Sequence, residues 1–167
     1  NIDNETSTLP LMQSTSTQSF TESNEFINQI IKFNKISKNT NEIDLWFNDL
    51  MKISLIYSPS DIIRTMAELS QLPKFTFEFS FLQIWLTCDL DKHQLISSVI
   101  NSIFSSKYTS NITIKEFINL VEFTVLCEID LNIDIEVLVK RCIDIKLYAK
   151  ALFFLETYSL FNKSNEM

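Results

Sequence analysis

The chain contains no glycine among its 167 residues, although roughly a dozen would be expected at the average usage of about 7%. Glycine reaches positive φ without steric cost and lets a backbone approach a phosphate closely. Its absence therefore argues against a Walker loop, a dinucleotide-binding fingerprint and a kinase glycine-rich loop. Sheets joined by tight primed turns are also disfavoured. We expect helices connected by polar loops, without turns that need positive φ.

Composition and charge narrow the class of protein further. Hydrophobic residues make up 46% of the chain, which is enough for a domain of this length to bury a core. The net charge of −7 and the pI near 4.7 disfavour nucleic-acid binding, since that needs a clustered basic face. The longest uncharged apolar run, residues 79–88, is too short to cross a bilayer.

The three cysteines and the first residues indicate cellular context and domain limits. Cys88, Cys127 and Cys142 are widely spaced within apolar stretches, as expected for reduced core thiols of an intracellular protein. Residues 1–20 are rich in Ser, Thr, Asn and Gln, so we predict a disordered linker there and a folded segment over 21–167. Because the chain does not begin with Met and has no signal-peptide pattern, it is expected to be a processed protein or a segment of a longer one.

Apolar residues recur at helical spacing from residue 22 onward. A first helix is predicted to follow a capping box at residues 39–42. A second helix is predicted to begin at Ser58, with Pro59 in its first turn. Further helices are predicted over residues 76–87, after Asp89, and behind a capping box at 113–116. The apolar positions of the first, fourth and fifth of these helices are Ile43, Trp46, Phe47, Leu50, Ile53 and Tyr57; Leu95, Ile96, Val99, Ile100, Ile103 and Phe104; and Ile114, Phe117, Ile118, Val121 and Val125.

The stretch KRCIDIKLYAKALFFLE, residues 140–156, is predicted to be a joint between two helices. An apolar stripe that runs through Leu138 and Cys142 would continue onto the charged Glu156, and apolar residues restart instead at Leu147. A break near residues 144–146 explains this shift, with one continuous bent helix as the alternative. The helix after this break contributes four candidates for packing or interfaces, and the apolar faces of two earlier helices contribute one each. The six candidates are Trp46, Phe117, Tyr148, Ala151, Phe154 and Tyr158.

Helix pairs are predicted to begin near residues 41, 75, 113 and 147, a period of about 34 to 38 residues that is typical of tetratricopeptide and HEAT arrays. The predicted fold is therefore all-α, an irregular helical-repeat α-solenoid. A segment of such an array should expose apolar faces at its ends. The expected exposed residues are Phe26, Ile30 and Phe33 in the first helix, and Phe154, Tyr158 and Phe161 in the last.

Residues that could support catalysis are few. His93 is the only histidine, and its place beside Asp89 and Asp91 predicts a solvent-facing side chain. The acidic residues Asp130, Asp134 and Glu136 suit a helix N-terminus without a metal ion. We therefore predict no catalytic, cofactor-binding or metal-binding residue in this chain, and we expect both tryptophans, Trp46 and Trp85, to be core residues.

Five stretches within about residues 42–160 occur in an order that is informative. The two most specific are NLVEF, residues 119–123, and YAKAL, residues 148–152. The longer ones are DLWFNDLMKISLIYSPSDIIRTMAELSQ, FLQIWLTCDLDKHQLISSVINSIFSS and LVKRCIDIKLYAKALFFLE, the last of which contains YAKAL. Together they resemble the start of the FAT region of phosphatidylinositol-3-kinase-related protein kinases, and the target-of-rapamycin (TOR) kinases most of all.

This resemblance implies a parent chain that is a very large serine/threonine kinase of nutrient and growth signalling. Such a kinase would be cytoplasmic, would reach endomembranes through partners, and would work in a multi-subunit complex with ATP and magnesium. None of the family's ATP, metal or catalytic residues maps here, so the segment itself would be a non-catalytic scaffold without a cofactor. Its expected partners are other proteins and the rest of its own kinase chain. The alternative is a stand-alone tetratricopeptide-like adaptor, and the sequence that follows Met167 would discriminate between the two.

Overall fold

A computed structural model describes residues 15–36, 39–58 and 76–165, and every regular element in these ranges is helical. The predicted all-α fold is confirmed for this part of the chain. A short 3-10 turn, Phe33–Lys35, follows the first α-helix. The α-helices are α1 (Thr15–Lys32), α2 (Thr40–Ile56), α3 (Thr76–Thr87), α4 (Leu90–Ser105), α5 (Asn111–Leu126), α6 (Ile135–Asp144) and α7 (Tyr148–Asn165).

The helix boundaries agree with the prediction in the second half of the chain and differ at its beginning. The predicted limits of α3 and the break near residues 144–146 are confirmed, so the alternative of one bent helix is wrong. Helix α1 begins at Thr15, six residues before the predicted start of the folded segment. The rest of the predicted linker, residues 1–14, and the helix predicted to begin at Ser58 lie outside the described residues, apart from Ser58 itself.

Side-chain caps fix where four of the helices begin. The side chains of Asn39 and Asp89 accept hydrogen bonds from backbone amides of α2 and α4, as their positions predicted. The predicted cap at Thr113 is wrong: Ser110 caps α5, and Thr113 lies inside the helix and donates its backbone N–H to the Ser110 hydroxyl. Both hydroxyls also donate to the Asp44 carboxylate of α2, which ties the two helix starts together.

One hydrophobic core runs through all seven helices. Helix α1 packs on α2 and α4, α2 on α3, α3 on α5, α4 on α5 and α6, and α6 on α5 and α7. The tryptophan prediction is confirmed, since Trp46 and Trp85 are both buried. Trp46 also joins α1 to α2, because its indole N–H donates to the Gln29 carbonyl over 2.8 Å and the Gln29 side chain donates back to the Trp46 carbonyl.

Three of the described residues adopt positive φ although the chain has no glycine, so the expectation that such turns would be absent is wrong. Glu128, Asn132 and Lys146 have φ values of 59°, 51° and 63°. Lys146 ends α6: its amide donates to the Ile143 carbonyl, and the next amide, of Leu147, donates to the Cys142 carbonyl over 2.7 Å. These are the two hydrogen bonds of a Schellman motif. Glu128 ends α5 in the same way.

The left-handed turn at Lys146 leads to a stability prediction. A non-glycine residue in this conformation costs roughly 1 to 2 kcal/mol. Substitution by glycine removes that cost, but it also raises the conformational entropy of the unfolded chain, which offsets part of the gain in stability. We expect Lys146→Gly to raise the free energy of unfolding by about 0.5 to 1 kcal/mol in a urea titration. Lys140→Gly, at an exposed position inside α6, is the control and should lower it by about 1 kcal/mol. Equal losses in both variants would contradict the assigned turn.

The predicted exposed ends are wrong at three positions. Phe26, Ile30 and Phe154 are at most 2% exposed, because α1 packs against α2 and α4 and the inner side of α7 packs against α6. Phe33 is half-buried and lies against the Trp46 ring with 4.9 Å between centroids. Tyr158 is exposed as predicted, and the Phe161 side chain lies outside the described residues.

Candidate functional site

The histidine has a structural role, which corrects the prediction that it faces solvent. The His93 ring stacks on Trp85 with 4.0 Å between centroids, and its Nε2 lies 2.8 Å from the Trp85 carbonyl oxygen. The side chain is half-buried between the end of α3 and the beginning of α4. This arrangement holds the α3–α4 turn, and it leaves His93 poorly placed to exchange protons with a substrate.

The cysteines do not form a reactive centre. Cys142 is fully buried, and burial raises the pKa of its thiol to about 11, partly opposed by the nearby Lys150 ammonium. Burial also raises the pKa of the Cys88 thiol. Both therefore stay protonated near neutral pH and are weak nucleophiles. Cys127 is exposed at the end of α5, so the prediction that all three are core thiols is wrong for this one.

Within the described ranges, no group of three or more His, Cys, Asp or Glu side chains is placed to hold a metal ion. Two surface features lie near the C-terminal end of the chain, where four of the six predicted packing or interface residues are also found. Of the six, Trp46, Phe117, Ala151 and Phe154 are buried, whereas Tyr148 and Tyr158 are 61% and 49% exposed.

Helix α7 carries apolar residues on two faces, one buried and one exposed. Its inner side, with Ala151 and Phe154, is buried in the core. Its outer face, which we define as Tyr148, Leu152 and Leu155, is at least 48% exposed at every position. These three residues are spaced i, i+4 and i+7, so they form one continuous stripe. Single exposed apolar residues are ordinary on a protein surface, but an aligned group on one helix is typical of a contact surface.

Helix α7 is held against α5 as well as α6. The Lys150 ammonium pairs with the Glu122 carboxylate of α5, and both side chains are partly buried. Glu122 belongs to the NLVEF stretch and Lys150 to the YAKAL stretch, so the two most specific parts of the family resemblance contact each other. The pair fixes the rotation of α7 about its axis, which keeps the outer face turned away from the core.

A cleft of about 600 Å³ lies beside α7, between the end of α5 and the start of α6. Its floor is apolar and includes the buried residues Val121, Leu131, Leu138 and Phe154. Its rim carries four exposed acidic residues, and among the side chains that the structure describes no Lys, Arg or His lines it. The rim residues are Glu128, Asp130, Asp134 and Glu136. We call this feature the acid-rimmed cleft.

The loop that forms the acid-rimmed cleft is fixed by hydrogen bonds from a neighbouring helix. Asn101 of α4 donates from its side-chain amide to the Asn132 carbonyl, and its side-chain oxygen accepts the Asp134 amide over 2.8 Å. Asp130 Oδ1 accepts the Asn132 amide, and Asp134 Oδ1 caps α6 by accepting the Glu136 and Val137 amides. The cleft is therefore preformed.

Sequence reasoning missed both features as sites. In the sequence, the outer face of α7 shows only as apolar residues that are too many to fit on a single buried face of the helix. The acid-rimmed cleft combines residues from α5, the following loop, α6 and α7. Its acidic residues were noticed in the sequence, but they were assigned to a helix start alone, which accounts for Asp134 and not for the apolar floor beneath it.

Comparison with known proteins finds no matching family model, no similar curated protein and no similar solved structure. The resemblance to TOR kinases therefore stays a prediction from sequence. None of the seven helices in the described ranges combines the length and apolar character that a membrane span requires.

Proposed function

We propose that this chain is a non-catalytic helical scaffold that binds an apolar helix of a protein partner on the outer face of α7. The observation that carries the proposal is the two-sided apolar character of α7. A helix that is apolar on more than one face is typically buried on each of them, and the fold covers only one face of α7. In a helical-repeat array the next helix pair would cover the other side.

The pattern of helix contacts supports an irregular repeat. In such an array the first helices of successive pairs contact each other, and so do the second helices. Helices α2, α3, α5 and α7 begin close to the predicted repeat starts, and α3 packs on both α2 and α5. Helices α4 and α6 would be the second helices of their pairs, and they pack on each other. We infer an α-solenoid segment from this arrangement.

The more specific form of the proposal is that the scaffold is the FAT-like edge of a TOR-like kinase of nutrient and growth signalling. It is supported by the contact between the NLVEF and YAKAL stretches, because an ion pair between α5 and α7 gives a physical reason for the residues at both positions. The parent kinase would use ATP and magnesium in its catalytic domain and would be cytoplasmic. The transcript sequence beyond Met167 tests this form, since it should encode further helix pairs and then a glycine-bearing ATP loop.

The scaffold proposal predicts that the isolated chain associates through the outer face of α7. We expect sedimentation velocity to show species larger than a monomer as the protein concentration rises, and Leu152→Glu to restore the monomer, because a charge would have to be buried at the contact. Leu45→Glu is the matched control: Leu45 on α2 is 65% exposed, against 57% for Leu152. This control should associate like the wild type.

Two results would count against this proposal. One is a wild-type chain that stays monomeric at every concentration, which would indicate a self-contained adaptor without an uncovered face. The other is association that Leu45→Glu disrupts as strongly as Leu152→Glu, which would place the contact elsewhere. Circular dichroism of each variant separates loss of association from loss of folding.

A further inference from the structure

The acid-rimmed cleft is a second surface, separate from the outer face of α7, and we propose that it binds a basic peptide segment of a protein partner. The segment would insert apolar side chains into the cleft while lysine or arginine residues on either side pair with the rim. The inference does not depend on the proposed scaffold function, because none of the three outer-face residues lines the cleft.

The size and floor of the cleft fit apolar side chains. A volume of about 600 Å³ falls within the range of about 300 to 1,000 Å³ that is typical of ligand sites. Four floor residues, Val121, Leu131, Leu138 and Phe154, belong to the main core, so the floor is as rigid as the core itself. The Tyr158 ring, 49% exposed, forms part of one wall and offers an aromatic face to an entering cation or methyl group.

The charge of the rim selects the class of occupant. Four carboxylates surround the opening, and none of the described side chains that line it is cationic. Glu128 and Glu136 make no side-chain hydrogen bond or ion pair with the described residues, and Asp130 and Asp134 use only Oδ1 for their backbone contacts. Carboxylate oxygens are therefore available to lysine or arginine side chains of a ligand, which form short, charge-assisted hydrogen bonds with carboxylates.

Other occupants fit less well. A second copy of this chain docked cleft to cleft is disfavoured, because the four rim carboxylates of the two copies would repel each other. An anionic lipid surface is disfavoured for the same reason. A small polyamine would pair with the carboxylates and leave the apolar floor in water. A peptide with both basic and apolar residues satisfies both parts of the cleft.

The preformed loop gives a reason for specificity. Because Asn101 and the two aspartate turns fix the backbone of residues 130–134, the rim charges are held in place before a ligand arrives. A preformed site loses less conformational entropy on binding than a site that must order itself.

The test uses the full chain and a fluorescein-labelled peptide in which a Leu-Leu pair is flanked on both sides by Lys-Lys. We expect saturable binding by fluorescence anisotropy that weakens as salt is added. Glu128→Gln combined with Glu136→Gln should weaken binding by about threefold to tenfold, the effect of losing two partly solvated charge pairs. The matched control is Asp144→Asn with Glu156→Gln, which removes the same charge from exposed positions outside the cleft and should bind like the wild type.

Three results would overturn the inference. The first is no binding of the Lys-Leu peptide. The second is an equal loss of affinity in the rim variant and the control variant, which would mean that net charge alone attracts the peptide. The third is equal binding of a peptide in which serines replace the leucines, since the apolar floor would then contribute nothing. Leu152→Glu should leave peptide binding unchanged, so failure here and failure of the scaffold proposal are distinguishable.

Discussion

Phe117→Ala is expected to lower the free energy of unfolding by about 3 to 5 kcal/mol, the range for removing a large aromatic side chain from a packed core. Phe117 is 0% exposed and lies at the centre of an aromatic cluster. Its ring centroid is 5.1 Å from that of Phe47, and 6.4 Å from those of both Trp46 and Phe77. These rings come from α2 and α3, so the cavity would open where three helices meet. Urea titration followed by circular dichroism measures the loss.

Phe79→Ala is the matched control for this prediction. Phe79 lies on α3 near the same cluster in sequence, but its side chain is 46% exposed. Its removal should cost about 1 kcal/mol or less, since little of it leaves water on folding. If the two variants were destabilised equally, the placement of Phe117 at the centre of the core would be wrong.

Arg141→Ala should lower the free energy of unfolding by about 2 to 3 kcal/mol, the second-largest loss we expect, because hydrogen bonds from a charged donor are worth about 1.5 to 3 kcal/mol. The Arg141 guanidinium, on α6, donates to the Phe104 and Ser106 carbonyls at the end of α4. Carbonyls at a helix end have no partner within the helix. Removing the guanidinium would leave them without this donor and loosen the α4–α6 contact. Thermal or urea unfolding measures the effect.

The neighbouring residue supplies the control. Lys140 is exposed on the same helix, so Lys140→Ala should change stability by less than about 0.5 kcal/mol. Arg141→Lys should recover only part of the loss, since a lysine ammonium cannot span two carbonyls as a planar guanidinium does. Full recovery by lysine would show that positive charge at the helix end, rather than the two hydrogen bonds, provides the stability.

The helices could be predicted from sequence wherever apolar periodicity and a polar cap agree. Helix α4 was predicted to begin after Asp89 and to carry an apolar stripe, and it does; Asp89 caps it. The joint at residues 144–146 was also predicted, because the apolar positions shift to a different face after it. Such a shift requires a break between two helices. These features depend on local chemistry, which the sequence records directly.

Other features depend on which segments meet, and the sequence does not record that. Ser110 and Thr113 both have hydroxyl side chains that could cap a helix. The sequence does not show which of them does so, and the structure identifies Ser110 because the helix begins at Asn111. Lys146 adopts a left-handed conformation at a cost that the packing of Leu147 and the two Schellman hydrogen bonds offset. The absence of glycine therefore raised the cost of such turns without excluding them. His93 was predicted to be exposed because two aspartates flank it in sequence. Its ring instead stacks on Trp85, a contact that depends on the tertiary fold.

The candidate surfaces show the same division. Tyr148 and Tyr158 were among six candidates for packing or interfaces, and they are exposed, whereas the other four are buried. Of the residues expected to be uncovered at the two ends, Phe26, Ile30 and Phe154 are buried, because α1 and α7 each pack on neighbours within the chain, whereas Tyr158 is exposed. The acid-rimmed cleft needs Val121, Leu138 and Phe154 from three different helices, so no single stretch of sequence could reveal it.

The central claim is that α7 uses its inner side to complete the core and its outer face to bind another helix. Hydrogen exchange read by mass spectrometry at low and high protein concentration tests this claim most directly, because association through the outer face would suppress opening of α7. We predict that exchange in peptides from residues 148–165 slows as concentration rises, that α2 is unchanged, and that Leu152→Glu removes the slowing. Exchange in α7 that is independent of concentration, or equal slowing in α2, would contradict the claim.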